Sequence, residues 1–192
     1  MRFRIIVRTC KGRESIVSNL LASLPEAEVC FDDTGKGAMG NFLKSLRMSG
    51  EAPTLMMEDD TLLTEDFLPK VTDAINANPD SVIQFFSRNK DDLRIGSRWQ
   101  PGGSFIMGQC HYMPRTMCRA LLDYAQDWPR LEEHPHGTDL MVADFLKSLR
   151  IRYWKHVPSL VDHLPTKSMI DPRRSTSRKS LTFENPMKDM IR

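Results

Sequence analysis

Apolar residues in the first half of the chain follow two alternating spacings. Short, nearly unbroken apolar runs predict buried β-strands, and segments with apolar side chains on one helical face predict amphipathic helices between them. The predicted strands are residues 2–9, 28–31, 54–57 and 81–86, and the predicted helices are 13–24, 40–48 and 67–79. This β-α-β-α-β-α-β order predicts an α/β fold whose mixed sheet is mostly parallel and is flanked by helices.

The second half of the chain is less regular. Four more strands and two helices are predicted there. The strands are 93–99, 104–113, 151–154 and 157–161, with a turn at Gly102–Gly103, and the helices are 115–128 and 138–149. The last residues are polar and rich in Ser and Arg. We therefore predict one domain over residues 1–166 and a basic C-terminal tail over 167–192.

Composition and charge narrow the class of protein. With 192 residues and 40% hydrophobic content, the chain can bury one core without disulfides. Its first apolar run has three residues and no 18-residue apolar stretch follows, which predicts a cytoplasmic protein without a membrane span. The tail holds seven Lys and Arg against three Asp and Glu. This asymmetry indicates an anionic ligand near the C-terminus.

Three consecutive carboxylates follow the predicted strand 54–57. Glu58, Asp59 and Asp60 would lie at the carboxyl end of a buried strand, where open α/β sheets bind ligands. Each pair of adjacent carboxylates repels by roughly 1 kcal/mol even in a water-like dielectric, so a cation would stabilise them. Oxygen ligands favour Mg²⁺ or Mn²⁺. A solvated loop or a helix cap near Asp66 explains the same residues without function.

Four stretches, in this order, resemble nucleotide-sugar-dependent glycosyltransferases of the GT-A fold. "PTLMMEDDTLLTEDFL" is similar to the D-x-D region, in which a strand ends in acids that hold a divalent ion on the donor diphosphate. The three other stretches match the nucleotide-side loop, the acidic helix near the acceptor and the segment with a metal-binding His. They are "FDDTGKGAMGNFLKSLRM", "HGTDLMVADFLKSL" and "VPSLVDHL". The resemblance implies a GT-A-like, Rossmann-like fold over residues 30–165.

The resemblance also implies a site. Asp60 and His163 would bind Mn²⁺ or Mg²⁺, and Asp139 would accept the proton of the acceptor hydroxyl as a general base. The remaining positions would bind the nucleotide-sugar donor, with a UDP-sugar favoured: Asp32 or Asp33, Gly35, Gly37, Glu58, Asp59, Arg173 and Arg174. The triplet reads E-D-D rather than D-x-D, so the share of Glu58 and Asp59 in metal binding stays open.

Other interpretations compete with this one. Residues 35–40, "GKGAMG", fit the G-x-G-x-x-G motif of NAD-binding Rossmann proteins, although the motif follows the second predicted strand rather than the first. A tight turn explains the same glycines, a helix N-cap explains Asp139, and a hydrogen-bonded His at a strand end explains His163. A nucleotide-binding module without catalytic activity is a further alternative.

The acceptor is predicted from size and charge. A small chain without a membrane segment resembles phage-encoded glycosyltransferases, some of which add sugars to hydroxymethylated pyrimidines in phage DNA. A basic tail with aromatic residues elsewhere would suit a nucleic-acid backbone. We therefore expect a 5-hydroxymethylated pyrimidine in phage DNA as acceptor, with a saccharide or a lipopolysaccharide-type glycan as the alternative.

Overall fold

A computed structural model describes residues 3–106, 108–166, 169 and 178–183 of the chain. The described strands are β1 (Arg4–Cys10), β2 (Glu28–Asp32), β3 (Thr54–Glu58), β4 (Thr61–Leu63), β5 (Ile83–Gln84), β6 (Arg98–Pro101), β7 (Cys110–Met113), β8 (Arg152–Lys155) and β9 (Val161–His163). The helices are α1 (Glu14–Ser23), α2 (Gly37–Ser49), α3 (Phe67–Ala77), α4 (Asp92–Ile95), α5 (Arg115–Tyr124) and α6 (Thr138–Ser148). No helix in these ranges is long and apolar enough to cross a bilayer.

Seven strands form one mixed sheet, in the order β2-β1-β3-β7-β5-β8-β6. Five of them run in one direction, because β1 is parallel to β2 and β3, β5 is parallel to β8, and β7 is antiparallel to both β3 and β5. The edge strand β6 is antiparallel to β8, and β4 pairs with β9 in a separate small sheet. The predicted α/β fold, with its mostly parallel mixed sheet in one domain, is confirmed.

The core has two apolar layers, one on each face of the sheet. Successive strand side chains point to opposite faces, so Leu55 and Met57 join the layer with α1 and α3, whereas Met56 joins the layer with α2, α5 and α6. All three side chains are fully buried. Burial on both faces explains why the sequence of β3 is apolar without alternation up to its last residue.

Three predicted strands in the second half are wrong in part. Residues 93–99 were expected to be extended, but the chain first forms the short helix α4 and only then β6. The reason is Asp92, whose fully buried carboxylate accepts a hydrogen bond from Ser87 and pairs with Arg98 and Lys155. Within 104–113 only Cys110–Met113 is a strand, and the strand expected at 157–161 forms at Val161–His163 instead.

The turn predicted at Gly102–Gly103 is confirmed as a short 3₁₀ turn over Gly102–Ser104. A Cβ atom at Gly102 would lie 2.5 Å from the carbonyl oxygen of Ile151 and 2.5 Å from Cβ of Leu146. Only glycine allows this close approach between the turn and the end of α6.

Candidate active site

A cleft of about 530 Å³ lies at the carboxyl edge of β1, β2 and β3. The three strands end there together because they are parallel. Such edges are where open α/β sheets bind ligands. Eight of the predicted site residues line this cleft: Asp32, Gly35, Gly37, Glu58, Asp59, Asp60, Asp139 and His163. The fold therefore brings together residues that are more than 100 positions apart in the sequence.

The acidic triplet turns the chain from β3 into β4. The hydroxyl of Thr61 donates to the carbonyl oxygen of Glu58 at 2.8 Å and closes the turn. Asp59 and Asp60 are each 7% exposed, so the triplet is not a solvated loop. Asp59 accepts a hydrogen bond of 2.6 Å from the hydroxyl of Thr9 at the end of β1. Burial nevertheless raises the pKa of Asp59 above its ordinary value.

Arg13 is the counter-ion of two of these acids. Its Nη1 atom lies 3.1 Å from Oδ2 of Asp60 and 3.5 Å from Oδ1 of Asp59, and it also donates to the hydroxyl of Thr166 at 3.1 Å. The Arg13 side chain is only 6% exposed. Sequence analysis missed this residue, since Arg13 and Asp60 are 47 positions apart. The feature of the sequence that could have indicated Arg13 is its position shortly after the first predicted strand, at the same edge of the sheet as the acidic triplet.

Asp60 and His163 form the second part of the site. The register of β4 and β9 places Thr61 opposite His163, and Nε2 of His163 lies 3.3 Å from Oδ2 of Asp60. The Nδ1 atom of His163 is 2.6 Å from the carbonyl oxygen of Leu164, to which it can only donate. A neutral His163 therefore directs the lone pair of Nε2 at a carboxylate oxygen that also pairs with Arg13. A cation bound between the imidazole and the carboxylate would make this contact attractive.

The residues present fit a divalent metal ion. Oδ1 of Asp60 is buried and has no hydrogen-bond partner among the described residues. A metal-binding His usually donates its other ring N–H to a carbonyl or carboxylate, as His163 does. No group of three or more His, Cys, Asp or Glu in the described ranges is arranged to hold an ion unaided. One carboxylate and one imidazole suit Mn²⁺ better than Mg²⁺, and the remaining ligands would come from water and substrate phosphates.

Glu58 pairs with a buried arginine that sequence analysis also missed. Nη2 of Arg8 lies 3.5 Å from Oε1 of Glu58, and the Arg8 guanidinium stacks 4.9 Å from the centre of the Phe42 ring. Arg8 is 7% exposed and its Nε atom lacks a hydrogen-bond partner in the described structure. Burial lowers the pKa of Arg8 and raises the pKa of Glu58. The feature of the sequence that could have indicated Arg8 is a charged residue inside the apolar run "IIVRTC".

The glycine loop forms the opposite wall of the cleft. Oδ2 of Asp32 accepts a hydrogen bond of 3.0 Å from the backbone N–H of Gly37, at the first residue of α2. Gly37 has φ +69°, and a Cβ there would lie 3.3 Å from the ring of His136. The N-terminus of α2 therefore opens beside the cleft, where helix N-termini favour anions. Asp33 is placed elsewhere: it pairs with Lys44 at 2.9 Å and does not line the cleft.

Helix α6 brings Asp139 to the cleft in its first turn. Oδ1 of Asp139 accepts a hydrogen bond of 3.0 Å from the N–H of Leu140. Asp144, one turn further, has a structural environment, because its Oδ2 accepts hydrogen bonds of 3.1 Å from both Trp128 and Arg130. The fold thus separates the two acids of α6, and of these two only Asp139 lines the cleft.

The described part of the tail is anchored beside β9. The N–H of Ser180 donates to Oδ1 of Asp162 at 2.6 Å, and its buried hydroxyl contacts the carbonyl oxygen of Ser87 and the hydroxyl of Ser159, both at 2.8 Å. Two residues before this anchor, Arg178 lines the cleft. The predicted diphosphate-binding residues Arg173 and Arg174 lie outside the described residues.

Comparisons with known proteins give the fold. No protein-family model and no curated protein sequence match this chain. Among solved structures, a protein described as a glucose-1-phosphate thymidylyltransferase from Bacillus anthracis, in complex with sucrose, superimposes with a TM-score of 0.50 and 11% identity. The alignment covers 82% of this chain and 69% of that one. The two proteins share an α/β fold.

Two further structures were found at lower similarity. A197 from STIV aligns over 96% of both chains with a TM-score of 0.49 and 14% identity. An apo UDP-glucose pyrophosphorylase aligns over 80% of this chain and 72% of that one, with a TM-score of 0.47 and 10% identity.

Proposed function

We propose that this protein is a metal-dependent glycosyltransferase that moves a sugar from a nucleoside-diphosphate donor, with a UDP-sugar favoured, to a hydroxyl acceptor. The observation that carries the proposal is the pair formed by Asp60 and His163 in the cleft. One buried carboxylate oxygen of Asp60 has no partner in the described structure, and a lone pair of the His163 ring is directed at the same carboxylate. A divalent cation such as Mn²⁺ or Mg²⁺ would stabilise both groups.

The bound ion would neutralise charge on the departing nucleoside diphosphate. Other groups in the cleft would act on the same diphosphate. The N-terminus of α2 offers backbone N–H groups, and Arg178 offers a guanidinium that can bind two phosphate oxygens. On this proposal Asp32 accepts hydrogen bonds from the ribose of the donor, because it lines the cleft directly beside α2.

Asp139 is the proposed general base. It lines the same cleft as Asp60 but comes from a different element, the first turn of α6. In a direct displacement, the acceptor oxygen attacks the anomeric carbon, the bond to the diphosphate oxygen breaks, and the acceptor proton passes to Asp139. This geometry favours a base separate from the metal ligands.

For the acceptor we propose a 5-hydroxymethylated pyrimidine in DNA, with a glycan hydroxyl as the second candidate. The basic tail, with seven Lys and Arg against three Asp and Glu, supports a polyanionic acceptor. Lys11 and Arg178 at the cleft extend this positive charge to the site itself.

The test is donor turnover. The protein is incubated with Mn²⁺, Mg²⁺ or EDTA and a panel of UDP- and GDP-sugars, and the released nucleoside diphosphate is measured with and without hydroxymethylated DNA. We expect metal-dependent release that rises with the correct acceptor. Formation of pyrophosphate from a sugar 1-phosphate and a nucleoside triphosphate would instead show nucleotidyl transfer. Binding of NAD without binding of any sugar nucleotide would favour the dinucleotide interpretation of the glycine loop.

A further inference from the structure

A second, smaller cavity of about 210 Å³ opens at the carboxyl edge of β5 and β8. We call it the side pocket; its lining includes Phe86, Ser87, Arg88, Asn89, Ile106 and Lys155. Because β5 and β8 run in the same direction as β3, this pocket lies on the same edge of the sheet as the cleft. Ile106 lines the side pocket, and Gly108, two positions later in the sequence, lines the cleft.

The side pocket is basic. Arg88 and Lys155 both line it, and none of the described residues that line it is acidic, although the buried Asp92 lies behind Lys155. Lys155 is held in place by the fully buried Asp92, whose Oδ2 lies 3.5 Å from Nζ. An ammonium group has three N–H donors, so this single contact leaves donors for a ligand. Arg88, by contrast, is exposed at the rim.

The other walls of the pocket are apolar or neutral. Phe86 is 1% exposed and forms part of the core, whereas Ile106 is 57% exposed although it is a large apolar side chain. Asn89 and Ser87 add neutral polar groups. Two cations on a partly apolar wall suit an anionic group attached to a less polar body rather than a free, fully hydrated ion.

The strand order sets the distance between the two sites. One strand, β7, separates β3 from β5, and β8 follows β5. At about 4.8 Å per strand, the end of β3 lies roughly 10 Å from the end of β5 and roughly 15 Å from the end of β8. A dinucleotide or an oligosaccharide phosphate can span this distance.

We propose that the side pocket binds a phosphate group of the acceptor and thereby orients the acceptor hydroxyl toward the cleft. The proposal rests on the proposed glycosyl transfer, and it assigns to the acceptor a phosphate about 10–15 Å from its reacting hydroxyl. The phosphate can belong to an oligosaccharide phosphate or to a dinucleotide, and both contain the group that Arg88 and Lys155 recognise.

The experiment compares binding and turnover in the full-length protein. Isotope-labelled protein is titrated with inorganic phosphate, glucose 6-phosphate, dCMP and glucose, and amide shifts are followed by NMR. We expect the three phosphates, but not glucose, to shift signals of residues 84–89 and 155. Arg88→Gln should weaken phosphate binding about tenfold, in line with the loss of one charge-assisted contact. Arg94→Gln, an exposed arginine on α4 outside the pocket, is the matched control and should bind as the wild type does.

Preference between glucose 6-phosphate and dCMP identifies the source of the phosphate. Donor hydrolysis without acceptor should be unchanged in Arg88→Gln, because Arg88 does not line the cleft. Equal phosphate affinity in Arg88→Gln and wild type, or shifts confined to the cleft, would overturn the proposal while leaving donor turnover intact. If no sugar nucleotide is turned over, glycosyl transfer itself fails, and with it the acceptor role of the pocket, whatever phosphate affinity the pocket shows.

Discussion

The cleft and the side pocket lie on one edge of the same sheet but differ in their charged groups. Five carboxylates line the cleft, at Asp32, Glu58, Asp59, Asp60 and Asp139, together with the cations Arg8, Lys11, Arg13 and Arg178, whereas the described lining of the side pocket has two cations and no acid. A cavity with an excess of carboxylates favours a cation, and a basic cavity favours an anion. On the two proposals above, the metal and donor bind in the cleft and an anionic part of the acceptor binds in the side pocket.

The two regions also use buried charge differently. In the side pocket one buried acid, Asp92, positions Lys155 and is itself satisfied by Ser87 and Arg98. In the cleft, buried atoms of Arg8 and Asp60 lack hydrogen-bond partners in the described structure. Each such atom costs about 1–3 kcal/mol of folding free energy. A ligand that forms hydrogen bonds with these atoms would recover this free energy, so we expect ligand binding to stabilise the cleft most. Variants in the cleft should therefore change donor turnover, and variants in the side pocket should not.

The largest effect is expected from Asp60→Asn. A Lewis-acid ion contributes several kcal/mol, which corresponds to a loss on the order of 10³-fold in donor turnover. The measurement is nucleoside diphosphate release against Mn²⁺ concentration. Asp66→Asn is the matched control: Asp66 has φ +53°, which Asn tolerates, and it does not line the cleft. Equal turnover in both variants would remove Asp60 from the metal site.

Asp139→Asn is expected to slow transfer on the order of 10²-fold, because the acceptor proton loses its base. The thermal midpoint should change little. Asp144→Asn provides the contrast on the same helix, since it weakens the hydrogen bonds to Trp128 and Arg130 and should lower the midpoint without a comparable loss in kcat. A kcat in Asp139→Asn that matches wild type would show that Asp139 is not the base.

A smaller effect is expected from Arg178→Gln. Loss of one charge-assisted hydrogen bond to the diphosphate should raise the donor KM about tenfold. Lys179→Gln removes the same charge from the neighbouring exposed residue, which does not line the cleft, and should leave KM unchanged. If both variants raise KM equally and the effect disappears in high salt, the tail acts through its net charge rather than through Arg178.

The smallest effect is a gain in stability. Burial raises the pKa of Asp59 above 3.8, its ordinary value, so the folded state binds more protons than the unfolded state between these two values. The ionised group therefore destabilises the protein above its folded pKa, and the penalty falls as pH decreases. Asp59→Asn should raise stability at pH 7 by roughly 1 kcal/mol and by nothing below pH 3.8.

Thermal unfolding of Asp59→Asn at both pH values checks this sign. Asp73→Asn, on the exposed face of α3, is the control and should show no pH-dependent gain. A midpoint for Asp59→Asn that is lower than wild type at pH 7 would show that the contacts with Thr9 and Arg13 outweigh the cost of burial.

Local sequence patterns predicted most of the fold, because each strand and helix of the first half has its own spacing of apolar residues. Strand β3 and helix α3, for example, need only their own residues to be recognised. The helix α4 could not be predicted, since it depends on Asp92 meeting Arg98 and Lys155, and Lys155 comes from a strand 60 residues later. The small strand β4 has three residues and exists through its pairing with β9.

The site was predictable in its acids and in His163. Strand-end position indicated the triplet, and resemblance added Asp32, Asp139 and His163. The arginines Arg8 and Arg13 were missed because their role is set by contacts across the sheet: Arg13 meets Asp60 and Arg8 meets Glu58 only once β1 and β3 are paired. Asp32 or Asp33 was predicted for the site, but Asp33 lies just beyond the last residue of β2 and pairs with Lys44 outside the cleft.

Arg8, Asp60 and Gln109 each have a buried atom that lacks a hydrogen-bond partner in the described part of the chain. A substrate that binds in the cleft should therefore stabilise the folded protein, and this effect can be used to find it. A ligand that binds only the folded state stabilises it by about 2.7 kcal/mol at 100 times its Kd. For a chain of this length, each kcal/mol shifts the melting temperature by about 2–4 °C. A dye-based melting screen over sugar nucleotides, run with Mn²⁺ in every well, could therefore rank donors before any acceptor has been identified.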